Sequence, residues 1–490
     1  MRGALLAGLV AALALVAATS AGAFDNTEPL AGQQWYLTQD RAWDFWSTPP
    51  TNLATIRVAV IDSGIDGHHP DLEGRVVAAR SFVGGSPFRD EDGHGTFVAG
   101  EIAANPFNGI GIAGMAFNAR LIVAKVVEPD GTVSLPAEVA AIRWAVHEGA
   151  RVINLSLGGV RDPLDPELDT YSAIEQAAVE YAYSKGVVVV AAVGNGPQSP
   201  ATPWNYAHYP AALPHVIGVS ALGQDGSIPD FSNRDAVFND IAAPGENMVS
   251  TIPRQLAEPT TECADGPYSD CGPFEFRDAI GTSFAAPQVS AAAALLLGVN
   301  PRLTPDQVSW LLERSADDVT SATGCSQCPV GRDMYSGWGS LDVLSALTML
   351  TDGTKLPAPD HYEPNDDAGP WSHALPPLPR TISASLDYWD DNVDVYHLYL
   401  QRGQRLYARL TPESAAGVRL AVWSPGTTRV EGLHADFHRR VAQSRSVGGQ
   451  VRVAYRAPVS GTYYLEAKLV TQSYYPVQYR LSLVRSNLIG

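Results

Sequence analysis

The feature that most constrains this chain is the apolar run Val289 to Val299, entered directly from Ala279-Ile280-Gly281-Thr282-Ser283-Phe284-Ala285-Ala286-Pro287. A run so rich in Ala, Leu and Val fits only a helix buried on all sides. The chain must therefore build a core thick enough to surround it. Ser283 then lies at the amino-terminal end of that helix, where unpaired N–H groups and the helix dipole favour negative charge. Gly281 lets the backbone turn tightly just before it. A serine at a helix start is most often an N-cap, so this stretch alone predicts nothing beyond a cap.

The rest of the first two thirds alternates strands with helices. Arg57 to Asp62, Leu121 to Val127, Val152 to Leu157, Val187 to Val193 and Val216 to Ser220 are short β-branched runs of the kind found in buried parallel strands. Between them, helices are expected over Phe97 to Ala104, from Ser134 and Pro136 to about His147, over Tyr171 to Lys185, and from Thr304 to about Ser315. This pattern predicts a three-layer α/β domain with a mainly parallel central sheet.

Composition changes near Thr351. The stretch 352–380 is rich in Pro and Asp and reads as a linker. Beyond it short alternating segments recur, from Val395 to Leu400 through Gln478 to Val484, separated by turn residues such as Gly403, Pro425-Gly426 and Gly461. They predict a small all-β sandwich over 381–490.

Residues 1–23 combine Arg2, an apolar run and Ala21-Gly22-Ala23, the pattern of a cleaved secretory signal. The expected product is an exported protein, extracellular or periplasmic, with a globular domain over 24–351 and no membrane span after signal removal. A net charge of −19 argues against nucleic-acid binding. In an exported chain the four cysteines are disulfide candidates: Cys263 with Cys271 and Cys325 with Cys328 is the preferred arrangement among three pairings.

Three glycine-flanked residues at element ends now stand out: Asp62 at a strand end, His94 in Gly93-His94-Gly95-Thr96, and Ser283. A serine hydroxyl becomes nucleophilic near neutrality when an imidazole takes its proton and a carboxylate fixes that imidazole's tautomer. Asn195, between Gly194 and Gly196 at a strand end, is the natural side-chain donor for an oxyanion.

With these motifs the chain resembles the subtilisin-family (subtilase) serine endopeptidases. The resemblance rests on Val-Ala-Val-Ile-Asp62-Ser-Gly-Ile, Gly-His94-Gly-Thr-Phe-Val-Ala-Gly and Gly-Thr-Ser283-Phe-Ala-Ala-Pro, in that family's chain order. Asn154-Leu-Ser-Leu-Gly-Gly159, Ala-Val-Gly-Asn195-Gly, Tyr209-Pro-Ala-Ala-Leu-Pro and Ala242-Ala-Pro-Gly245 support it, so that the match spans about Gln34 to Ala346.

The resemblance implies hydrolysis of polypeptide substrates by a monomer. Asp62 would orient, His94 would act as base and acid, Ser283 would attack, and Asn195 would share the oxyanion with the Ser283 N–H. It implies substrate-binding edges at Gly131-Thr132-Val133 and Ser156-Leu157-Gly158. Small residues at Ser156, Gly158, Ala192 and Gly194 would admit a large apolar side chain. It also implies structural calcium held by Asp71, Asn108, Ile110 and Ile112, with no cofactor for the chemistry. The segment 24–50 is shorter than the family's usual propeptide.

Two rival readings are a narrow-specificity processing protease and a catalytically silent binding protein; the intact triad and Asn195 weigh against the second. Glu363-Pro-Asn-Asp366, Asp391-Asn-Val-Asp394 and Gly461-Thr-Tyr-Tyr resemble the bacterial pre-peptidase C-terminal type of accessory domain.

Overall fold

The computed structural model describes residues 28–46, 53–128, 130–257, 268–269, 276–432, 434–445 and 449–486. The residues read as a secretory signal, and Cys263 and Cys271, lie outside these.

After two short helices, α1 (Trp35–Gln39) and α2 (Ala42–Trp46), the chain enters a seven-stranded sheet. Its strands are β1 (Ile56–Asp62), β2 (Val76–Ser81), β3 (Ala119–Lys125), β4 (Val152–Leu155), β5 (Val188–Ala192), β6 (Val216–Leu222) and β7 (Ile241–Pro244), in the order β2-β3-β1-β4-β5-β6-β7. Every pairing is parallel. Side-chain alternation sends the two faces of β1 into different cores. Ile56, Val58 and Val60 pack in the layer that contains α3 (His94–Ala103) and α6 (Thr282–Val299). Ala59 and Ile61 pack in the layer of α4 (Leu135–His147) and α5 (Ala173–Ser184).

This is the expected three-layer α/β arrangement. Because β3 and β4 flank β1, the carboxyl end of β1 opens at the point where the winding direction reverses, which is where such sheets place their sites.

Helix α6 runs through the core nearly unexposed. It begins at Thr282, well before the apolar run, and includes Pro287. Among the described residues it is the one helix long and apolar enough to cross a membrane, yet 89% of that window is buried inside the fold. A side sheet of β8 (Met248–Thr251), β9 (Tyr268–Ser269) and β10 (Phe276–Ala279) leads into it. Helices α7 (Pro305–Ser315), closed by a Thr304/Gln307 capping box, and α8 (Val343–Thr351) complete the layer.

The C-terminal region is all β. One sheet orders β11 (His373–Ala374), β13 (Val393–Leu400), β18 (Gly461–Leu469), β15 (Val418–Trp423) and β16 (Arg440–Gln443). The other orders β12 (Arg380–Leu386), β19 (Val477–Ser486), β14 (Arg405–Pro412) and β17 (Val451–Arg456). Their inner faces share one apolar core that includes Leu386, Tyr396, Leu406, Leu465 and Leu481. The later part of the Pro- and Asp-rich stretch is not free-standing. Asp360 Oδ2 accepts the Ser385 N–H at 2.6 Å, Tyr362 packs on the sandwich core, and His373–Ala374 pairs with β13.

Candidate active site

Asp62 ends β1 in register with Lys125 of β3, and it is 2% exposed. Its Oδ1 accepts the Ser63 N–H at 2.7 Å, and both carboxylate oxygens lie 2.9 Å from His94 Nδ1. His94 is the first residue of α3. That helix start is tied down by Asp90, which accepts from the Gly93 N–H at 2.8 Å, the Thr96 N–H at 2.9 Å and the Thr96 hydroxyl at 2.6 Å. The Ser63 hydroxyl donates to Asp90 at 2.8 Å and accepts the Gly95 N–H at 2.8 Å. Gly95 is required here, because a Cβ would sit 2.2 Å from the Gly64 carbonyl oxygen. Strand end and helix start are thus clamped together, and the Asp62–His94 pair rides on the clamp. Sequence reasoning missed Ser63 and Asp90; a carboxylate three residues before a Gly-His-Gly helix start was the available signal.

Burial opposes a charge on His94, but the charge and hydrogen bond of Asp62, with Asp92 and Asp90 behind it, outweigh that and push its pKa up to about 9.

Ser283 is the second residue of α6 and follows Gly281, whose φ of +146° suits glycine. Phe284 packs with its ring centroid 4.5 Å from that of Phe97 and 5.3 Å from that of His94, so the starts of α3 and α6 lie side by side. Pro287 has no N–H to give the Ser283 carbonyl four residues earlier. The Ser156 hydroxyl takes that acceptor at 2.7 Å. In return the Ser283 hydroxyl donates to the Ser156 carbonyl at 3.2 Å, and in this conformation it is turned to Ser156 rather than to His94. Behind them the Asn154 amide donates to Ser156 Oγ at 2.9 Å, and the Ser290 hydroxyl donates to Asn154 Oδ1 at 2.8 Å.

Asn195 follows β5. Its Oδ1 accepts the Thr282 N–H at 3.0 Å and the Thr282 hydroxyl at 3.1 Å, which leaves the amide nitrogen as the group it can offer a ligand. Ser156, Leu157, Gly158, Ala192 and Gly194 line one cavity of about 190 Å³ together with Asn195 and Ser283.

Two residues that the sequence reading passed over share this cavity, Gln198 and His208. His208 is 4% exposed, its Nε2 lies 2.8 Å from Ser199 Oγ, and burial pulls its pKa down to about 4, so the ring is neutral. A Cβ on Gly194 would meet His208 Nδ1 at 2.5 Å. The space that the glycine frees is therefore partly filled by imidazole.

Gly131, Thr132 and Val133 are not brought to that cavity. They form an exposed turn beyond β3, closed by the Val127–Val133 bridge and by the Glu128 N–H to the Thr132 carbonyl at 2.9 Å.

The residues expected to hold calcium do come together. Asp71 is fully buried and accepts from the Asn108 amide at 3.0 Å and the Ile112 N–H at 3.0 Å. The Ile110 N–H donates to Glu28 at 2.8 Å, as does the Gly109 N–H at 3.1 Å. Glu28 was not foreseen. Burial raises the Asp71 pKa to about 7, hydrogen bonds lower it in part, and the Glu28 charge raises it further. Here Asn108 turns its amide nitrogen to Asp71 and its oxygen to the Ile110 N–H at 2.9 Å, and Ile112 presents its N–H rather than its carbonyl, so hydrogen bonds hold the group together; the oxygens of Asp71, Glu28 and Asn108 are of the hard type that calcium takes.

Cys325 and Cys328 form a disulfide, with Cα atoms 5.4 Å apart.

Comparison with known proteins agrees with this geometry. Residues 54–339 match the Peptidase_S8 subtilase family. Subtilisin DY of Bacillus licheniformis is 35% identical over 60% of this chain and 91% of its own. Subtilisin E of Bacillus subtilis (strain 168) is 36% identical over 60% of this chain and 66% of its own. The thermophilic serine proteinase of Bacillus sp. (strain AK1) is 33% identical over 63% of this chain; the match spans 65% of that relative's length.

Proposed function

The chain belongs to the subtilase family of serine endopeptidases, and from that premise we propose that it hydrolyses polypeptides through an acyl-enzyme built on Ser283. The observation that carries this reading is the Asp62–His94 pair, bonded at 2.9 Å beside the first turn of α6.

The Ser283 side chain rotates from the Ser156 carbonyl toward the imidazole, and Oγ attacks the scissile carbonyl as His94 Nε2 takes its proton. Asp62 keeps the other proton on Nδ1 and stabilises the imidazolium. The oxyanion receives hydrogen bonds from the Asn195 amide nitrogen and from the Ser283 N–H, in the first turn where helical N–H groups lack partners. Collapse breaks the C–N bond, and His94 returns the proton to the leaving amine. Water, deprotonated by the same ring, then releases the acid and regenerates the hydroxyl.

Substrate lies extended along Ser156-Leu157-Gly158, with the Gly131-Thr132-Val133 turn as the opposite edge, so main-chain hydrogen bonds supply affinity with little sequence demand. The side chain before the scissile bond enters the cavity above His208, which gives a large pocket with one neutral polar wall. Specificity is broad, with large side chains favoured there. Calcium held by Glu28, Asp71 and the 108–112 loop braces the α/β unit. The protein is exported, acts as a monomer, and carries its β-sandwich as an accessory domain of the pre-peptidase C-terminal type.

The test is Ser283→Ala. The variant should fold with an unchanged circular dichroism spectrum and lose casein cleavage; cleavage at the wild-type rate would refute the assignment.

A further inference from the structure

The junction of the two units buries a cluster that peptide hydrolysis does not use. His215, just before β6, holds a left-handed backbone with φ of +60°, and its ring stacks on Tyr183 of α5 at 3.6 Å between centroids and 10° between planes. That stacking fixes where Nε2 points. Three carboxylate oxygens converge on it: Asp366 Oδ2 at 3.0 Å, Glu363 Oε2 at 3.5 Å and Glu180 Oε2 at 3.8 Å. The four side chains are 6% exposed or less. Glu180 is fully buried on α5, and neither of its oxygens has a hydrogen-bond partner.

An imidazolium alone balances this cluster poorly. One positive ring would face three carboxylates, and among the described residues no Lys or Arg pairs with Glu180, Glu363 or Asp366. Asp391 and Asp394 gather with Glu363 and add to the surplus. A carboxylate left buried and charged without a bond costs several kcal/mol until a proton or a cation meets it.

The spacing itself points to what does. A tetrahedral ion bound at about 2.0–2.1 Å holds its ligand atoms roughly 3.3–3.4 Å apart; Asp366 Oδ2 at 3.0 Å and Glu180 Oε2 at 3.8 Å from Nε2 bracket that edge, and the ligand atoms of Glu180, His215 and Asp366 all lie within 4.8 Å of one another. Calcium prefers six to eight oxygens at longer range and seldom an imidazole, whereas zinc accepts this mixed set.

We propose that Glu180, His215 and Asp366 form a zinc-type divalent metal site, with its fourth position open to water, that staples the C-terminal sandwich to the α/β unit. Two ligands come from the α/β unit and one, Asp366, from the segment that leads into the sandwich. The ion would hold that segment, 363–366, against α5 and β6. Glu363 Oε2, 3.5 Å from the ring, accepts the Asn365 N–H at 3.0 Å and flanks the site without belonging to it.

The experiment uses the full chain carrying Ser283→Ala to prevent autolysis, stripped of metal and kept in excess calcium. Zinc titration should show one equivalent bound per chain. Cobalt in its place should give the intense visible bands of a tetrahedral nitrogen–oxygen site. Zinc should raise Tm by on the order of 5 °C and slow proteolytic cutting in the 352–362 stretch. Glu180→Gln and His215→Gln, each made in that background, should weaken zinc uptake at least tenfold and abolish the cobalt bands. No zinc uptake by the parent chain, or equal uptake by both variants, would overturn the proposal. So would a Glu180→Gln chain that is simply more stable than its parent with or without zinc, the result expected of an imidazolium cluster with one carboxylate too many.

Discussion

Thr282 donates both its N–H, at 3.0 Å, and its hydroxyl, at 3.1 Å, to the Oδ1 of Asn195. Two donors on one oxygen fix which way the amide faces, so its nitrogen is left to the cavity that Asn195 and Ser283 both line. Such preorganised donors act on the charge that develops in the transition state rather than on the bound substrate. Asn195→Leu should therefore lower kcat by about 10²–10³-fold with KM nearly unchanged, read from steady-state kinetics on a peptide anilide. Thr282→Val, which keeps the N–H bond and loses the hydroxyl, should cause a smaller drop in the same parameter.

The environment of His94 sets the pH dependence. Asp62, Asp92 and Asp90 overcome burial and raise its pKa to about 9, from an ordinary value of 6.5. A protonated ring cannot accept the Ser283 proton, so kcat/KM should fall as pH drops through the raised pKa and should climb on the alkaline side. The acidic limb of the profile should have its midpoint above 6.5, toward 9. Asp62→Asn should move that midpoint down, since the group that holds the proton on the ring loses its charge, and should cut the rate by roughly 10⁴-fold.

His208 occupies space that Gly194 vacates at the wall of the binding cavity. Its pKa near 4 keeps it neutral above that pH, so it acts by shape and hydrogen bonding, not by charge. His208→Gly should enlarge the cavity and improve kcat/KM for Phe and Tyr before the scissile bond by about tenfold relative to Ala. Cleavage of a mixed peptide library reads this directly. An unchanged ranking of residues would show that the imidazole does not shape selection.

Much of this was legible in the sequence, and the exceptions have physical reasons. Asp62 was visible because a β-branched run ends there against Ser-Gly. The sheet strands β2 and β7 were not, since Val-Val-Ala-Ala-Arg-Ser and Ile-Ala-Ala-Pro show neither clean alternation nor an unbroken apolar run. Helix α6 began earlier than its apolar run because its first turns are made of small residues and Pro287, which carry no periodic signal. His208 and Glu28 are brought to their sites by tertiary packing alone, and a pattern search along the chain has nothing to catch them by. Six sandwich strands were found from alternation, but β12 went unread because it starts directly from the Pro- and Asp-rich stretch, and the short β16 and the two-residue β11 fell below what alternation can mark.

The 108–112 loop, Asp71 and Glu28 concentrate carboxylate charge in a buried place, and the Asp71 pKa near 7 reflects the cost. Calcium should relieve it. Selective chelation of calcium should lower Tm by several degrees, and Asp71→Asn should make Tm insensitive to that chelator. A transition that ignores calcium in the parent chain would remove the ion from the account.

On the proposed mechanism the hydroxyl of Ser283, although it rests on Ser156, is the group that His94 activates. This is tested most directly by treating the full chain with a fluorophosphonate and mapping the adduct by peptide mass spectrometry. One adduct is expected, on Ser283, whose formation slows as pH falls and is lost in His94→Ala. An adduct on another serine, or a chain that cleaves casein while Ser283 remains unmodified, would contradict it.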